Sequence, residues 1–148
     1  MAAGEQIHAT AVSISGQGCL ITGASGSGKS TLALELIALG ARLIADDRVD
    51  LSLAGGQVML SCPHRLHGMI EARGVGLISL DAETGPVACR IVVDLDRAAE
   101  RLPGSSGRDL LGISCPVIFG KGRSGLASIV HVLVQSGRLL NPGQGIAT

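Results

Sequence analysis

The octapeptide Gly23-Ala24-Ser25-Gly26-Ser27-Gly28-Lys29-Ser30 constrains the fold more than any other stretch of this chain. It fits the spacing G-x-x-x-x-G-K-[ST]. It stands between the apolar run Cys19-Leu20-Ile21-Thr22 and a segment in which Leu32, Leu36 and Leu39 recur at helical spacing. A glycine-rich turn from strand to helix lets consecutive backbone N–H groups converge on one anion, because glycine accepts positive φ and leaves the concavity open. The helix N-terminus adds partial positive charge. Lys29 then supplies an ammonium for the outer phosphates and Ser30 a hydroxyl for Mg²⁺, so residues 23–30, with Thr31 beside them, are expected to bind ATP. The plainer reading of the same residues is a strand-to-helix turn with no ligand.

The flanking pattern predicts a strand over 7–14, a turn at 15–18 and a helix of about three turns from Lys29, with Gly40 where a helix-ending glycine belongs. From residue 42 the period changes to two. Strands are expected at 42–45, 49–53, 57–61, 69–71, 76–80, 87–95 and 113–119, with a turn at Ala54-Gly55-Gly56. A short helix over 96–102, a mobile glycine-rich loop over 104–109, and a frayed tail over 141–148 complete the expectation. A second helix over 124–136 places Leu126, Ile129, Val130, Leu133 and Val134 on one face. No internal repeat or linker divides the chain.

Composition narrows the function classes. Twelve basic charges balance 12 acidic ones, and Phe119 is the only aromatic residue, which leaves neither an electrostatic footprint nor a stacking platform for nucleic acid. No apolar run reaches the length of a membrane span. Cys19, Cys62, Cys89 and Cys115 lie far apart, as reduced core thiols rather than a disulfide framework. The first nine residues lack a basic and an apolar region, so the expected location is the cytoplasm. His64 and His67 have no third ligand at metal spacing.

Asp46 and Asp47 follow Leu43-Ile44-Ala45, a strand expected to run parallel beside the loop's strand after the helix crossover. That would bring a carboxylate to the edge where the phosphates sit. One acid could orient a metal complex and another accept a proton from an attacking hydroxyl, although two aspartates also suit a solvated turn.

The runs Ala45-Asp46-Asp47-Arg48-Val49-Asp50 and Glu71-Ala72-Arg73-Gly74-Val75-Gly76, at this distance from the phosphate loop, resemble the catalytic domain of HPr kinase/phosphorylase over about residues 7–80. The resemblance implies an α/β fold: one P-loop kinase-like domain over 1–148, with a mixed, strand-rich sheet flanked by a few helices. It implies ATP- and Mg²⁺-dependent phosphorylation of a seryl hydroxyl on HPr or a related phosphocarrier. The reverse reaction would use inorganic phosphate and release pyrophosphate. Asp46 would be the base forward and the acid in reverse, with His8 setting its charge state. Ser30, Asp47 and Glu71 would hold metal, while Lys29, Arg73 and Arg101 would stabilise the transferring group. Residues 114–117 would correspond to a loop tied to the reverse reaction. The compact layout is similar to short alphaproteobacterial forms without the family's N-terminal domain, and assembly as a hexamer is expected.

By themselves, the residues leave other readings open. Glu71 and Arg73 could form an ordinary ion pair, His8 could be a hydrogen-bonded strand residue, and Arg101 could lie on a surface helix. A small-molecule P-loop kinase, or a nucleotide-gated binding module without turnover, also fits the phosphate loop.

Overall fold

A computed structural model of the chain describes residues 4–98 and 107–137. Eleven strands, two α-helices and one 3-10 turn follow one another among them. The amino-terminal part contains β1 (Gly4–Ile7), β2 (Thr10–Ile14), β3 (Gln17–Thr22), α1 (Lys29–Ala38), β4 (Arg42–Ala45), β5 (Val49–Ala54) and β6 (Gln57–Ser61). After the 3-10 turn His64–Leu66 come β7 (Met69–Ala72), β8 (Gly76–Ser79) and β9 (Val87–Asp94). The carboxyl-terminal part contains β10 (Gly107–Leu110), β11 (Ile113–Phe119) and α2 (Leu126–Ser136).

Nine strands form one mixed sheet in the order β1-β5-β6-β9-β3-β2-β4, with β11 also paired to β9 and β10 to β11. The remaining two, β7 and β8, make a separate antiparallel hairpin. The centre of the nine-stranded sheet is apolar on both faces. Val12 and Ile14 of β2 and Cys19 and Ile21 of β3 pack with Leu32, Ala33 and Leu36 of α1 and Val130 of α2. The alternate residues Ala11 and Leu20 pack on the other face with Val49, Leu51, Val58 and Leu60. Burial on both faces explains why β2 has no exposed residue, since a half-solvated strand would alternate.

Several local expectations change. The stretch read as one strand over 7–14 breaks at His8 and Ala9, because β1 pairs with β5 while β2 pairs with β3 and β4. β4 does run parallel to β3, but β2 lies between them, antiparallel to both. The hairpin return of β2 occupies the position beside the loop's strand that the crossover was expected to fill. Residues 107–109, expected in a mobile loop over 104–109, belong to β10, which pairs with β11. Asp96 and Arg97 lie in a bend and Ala98 is irregular, rather than forming the first turn of a helix, and the rest of that segment lies outside the described residues, as does the tail over 141–148. Leu39, at the α1 C-cap, and Ile129 are exposed at 45% and 39%, so the buried face of α2 runs instead through Leu126, Ala127, Val130 and Val134.

The ends of α1 follow the sequence closely. At its C-terminus Gly40 takes φ 110°, its N–H donates to Ile37 O, and Ala41 N–H donates to Leu36 O. These paired bonds satisfy carbonyls that the helix leaves free. All four cysteines are free thiols, with Cys19 and Cys115 buried and Cys62 and Cys89 half-buried. Burial pushes the Cys19 thiol up to about 12. It also raises that of Cys89, to which neighbouring Cys115 and Cys19 add.

Candidate active site

The parallel strands β3 and β9 end side by side, with Thr22 opposite Asp94, and the phosphate loop leaves the sheet there. Gly28 has φ 102° and nothing within 4 Å of the position a Cβ would take, so backbone conformation rather than crowding requires glycine at the loop's exit into α1. The Lys29 side chain is folded back over the loop, with Nζ donating to Gly23 O at 2.8 Å and Ala24 O at 3.0 Å. Ser27 Oγ is buried without a hydrogen-bond partner, packed where a side chain at Gly23 would have to go. Sealed off from solvent, the Ser27 hydroxyl packs the base of the loop and does not line the cleft.

β4 delivers the acidic pair to the same edge, and the two aspartates have different surroundings. Asp46 is 9% exposed. Its Oδ1 accepts from Ser30 Oγ at 2.7 Å and from Thr10 Oγ1 at 2.9 Å, and its Oδ2 accepts from the Glu71 backbone N–H at 3.1 Å. Three donors from α1, β2 and β7 therefore fix one carboxylate. Asp47 has φ 70° and turns the other way, its side chain 65% exposed and its Oδ1 3.0 Å from His8 Nε2. His8 thus faces the second aspartate, whereas the sequence reading had paired it with Asp46.

A cleft of about 740 Å³ joins these parts. His8, Ser25, Gly26, Gly28, Lys29, Ser30, Thr31, Asp46, Asp47, Glu71 and Arg73 all line it. Gly23, Ala24 and Ser27 belong to the loop but not to the lining. Arg101 lies outside the described residues. Ser114, Cys115, Pro116 and Val117 lie on β11 away from the cleft lining. No ion pair joins Glu71 to Arg73 among the described residues; the two side chains are exposed and both face the cleft, which sets aside the ordinary-pair reading.

Sequence reasoning missed two contributors. Thr10 gives no motif signal, because a threonine in a buried strand usually serves the backbone, yet its hydroxyl reaches Asp46. The apolar wall of Leu34, Leu66, Met69 and Leu77 is assembled from α1, the 3-10 turn and the β7–β8 hairpin, elements too far apart in sequence to show a shared pattern.

No group of three or more His, Cys, Asp or Glu side chains converges as a metal cage among the described residues. Mg²⁺ does not need one. It retains waters and nucleotide oxygens and is held by one or two protein carboxylates, so Ser30, Asp46 and Glu71 in one cleft form a donor set of the right chemistry.

Residues 1–98 match the family described as the HPr Serine kinase C-terminal domain. The HPr kinase/phosphorylase of Bordetella petrii is 37% identical over 145 residues, covering 88% of this chain and 47% of the relative. That of Clostridium botulinum is 49% identical over 75 residues, 51% of this chain and 25% of the relative. The chain therefore spans about half the length, or less, of these curated relatives. The solved structure of the Hpr(Ser) kinase/phosphatase from Coxiella burnetii superposes with a TM-score of 0.75 at 30% identity, covering 88% of each chain. With a glycine-rich phosphate-loop motif, an adjoining acidic pair and a family match over about two thirds of its length, this chain belongs to the HPr serine kinase C-terminal domain family.

Proposed function

We propose that this domain transfers the γ-phosphoryl group of ATP to a seryl hydroxyl of HPr or a related phosphocarrier protein, as the names of its relatives suggest. The observation that carries the reading is the meeting in one cleft of the phosphate loop with two aspartates in unlike environments.

That difference favours exchanging the roles the sequence suggested. Asp46 is fixed by three donors, one of them the loop serine, the arrangement in which a P-loop enzyme holds or orients Mg²⁺. Asp47 is open to the cleft with a histidine beside it, where an acceptor hydroxyl can reach it. In this reading Asp47 accepts the serine proton and His8 steadies its charge, while Asp46, Ser30 and Glu71 hold the metal. Bound Mg²⁺ would neutralise charge on the transferring phosphoryl group. Lys29 and the loop amides cradle the phosphates, and Arg73 offers its guanidinium to the equatorial oxygens that gain charge during transfer.

Microscopic reversibility gives the same aspartate the acid role if inorganic phosphate attacks the phosphoserine and pyrophosphate leaves. Arg101 as a further cationic group, assembly as a hexamer, a cytoplasmic location and a single domain over 1–148 belong to the same proposal.

The test is purified chain with Mg²⁺, γ-labelled ATP and HPr, followed by identification of the labelled residue. Serine labelling is expected. Asp47→Asn should abolish it while retaining nucleotide binding. Transfer preserved in Asp47→Asn but lost in Asp46→Asn would restore the original assignment, and no labelling of HPr by the wild type would remove the proposed substrate.

A further inference from the structure

One peptide group at the start of the phosphate loop is held from both ends. The Gly23–Ala24 peptide donates its N–H to Asp96 Oδ1 at 3.0 Å, and its C=O accepts from Lys29 Nζ at 2.8 Å. In a planar trans peptide these groups point in opposite directions, so a carboxylate and an ammonium lie on either side of a single rigid plate. The next carbonyl, Ala24 O, accepts from the same ammonium at 3.0 Å.

Asp96 is itself fixed by the sheet rather than by the loop. Its N–H donates to Asp94 Oδ1 at 2.8 Å, Leu95 N–H donates to Thr22 O at 2.9 Å, and Gly120 N–H donates to Asp94 O at 2.8 Å. The ends of β3, β9 and β11 thus hold the carboxylate in place. Nothing in the mechanism above uses it, and no sequence motif singled it out.

Rotation of this plate changes Gly23 ψ, which glycine tolerates over a wide range, together with Ala24 φ in the opposite sense. Turned by half a revolution, the Gly23–Ala24 plate would aim an N–H at the Lys29 ammonium and a carbonyl at the Asp96 carboxylate. Both contacts would be repulsive. A charge-assisted bond from Ala24 N–H to a carboxylate opposes that rotation more strongly than a bond to a neutral acceptor.

We propose that Asp96 is a positioning residue, whose carboxylate selects the loop orientation that keeps the first two carbonyls facing Lys29 and so sets where the ammonium meets a polyphosphate. The inference rests on the loop's reading as a nucleotide site.

Calorimetric titration of Mg²⁺ and ATP into the wild type, Asp96→Ala and Asp96→Asn, with a thermal melt of each, tests it. Asp96→Ala should weaken ATP binding by about tenfold, the scale of losing one charge-assisted hydrogen bond, with a small fall in the melting midpoint because the exposed bond is already made in the free chain. Asp96→Asn keeps an oxygen that can accept from Ala24 and should recover to within about threefold of the wild type. Equal affinity in the wild type and Asp96→Ala overturns the positioning role while leaving the nucleotide site intact. A loss in Asp96→Ala that Asp96→Asn fails to rescue, or that is explained by unfolded chain at the titration temperature, overturns it too. Absence of ATP binding by the wild type removes the nucleotide reading and this inference together.

Discussion

The two neighbouring aspartates show how little of a residue's chemistry lies in its identity. Asp46 and Asp47 are equivalent in sequence, and the positive φ of Asp47 sends one side chain inward and the other toward the cleft. The motif Asp-Asp therefore announced an acidic site but not which acid would be buried, because that depends on a Thr10 hydroxyl and a Glu71 amide contributed by other strands. Thr10→Val tests the arrangement directly. It replaces a donor to a buried carboxylate by a methyl group of similar shape, and should cost about 1–3 kcal/mol of stability in urea unfolding. Ser30→Ala removes a second donor and the loop hydroxyl at once. Its expected signature is a higher Mg²⁺ requirement for nucleotide binding, measured by titrating the metal at fixed ATP.

At the scale of elements, what was legible followed from local chemistry. The extent of α1 could be read from the spacing of its leucines and from Gly40, and the hairpin turn at Gly55 and Gly56 from the glycines themselves. Gly40→Ala should lower stability by about 1 kcal/mol, because φ 110° strains any Cβ although open space surrounds it. A shift in the urea midpoint without a change in slope would verify this. Strand order was not legible. Parallel direction for β4 followed from the crossover, but the intervention of β2 depends on a tertiary pairing that periodicity cannot express, since β2 is apolar on both faces and shows no alternation. The same limit hid the break at His8 and Ala9, which separates strands bound to different partners.

For the molecule as a whole, the buried thiols link stability to alkaline pH. The Cys19 thiol is pushed up to about 12 in the fold from an ordinary 9.0. Below pH 9 both folded and unfolded chains keep that proton, so it contributes no pH dependence. Between about 9 and 12 the unfolded chain has lost it while the folded one has not, and stability falls by up to about 1.4 kcal/mol per pH unit. Denaturant midpoints compared at pH 7 and 10 should show this decline, and Cys19→Ala should make it shallower, with the raised Cys89 thiol leaving a residual slope. The interposed strand β2 has a wider consequence. It faces Ile21 with Thr10 and Ala45 with Ala11, so it acts as a spacer gauge between the strand that leads into the glycine-rich loop and the strand that carries the acids. A two-residue slip along that gauge would preserve which side chains face the core, yet would displace the two halves of the machinery by a full strand repeat, which is how a well-folded relative could lose its chemistry.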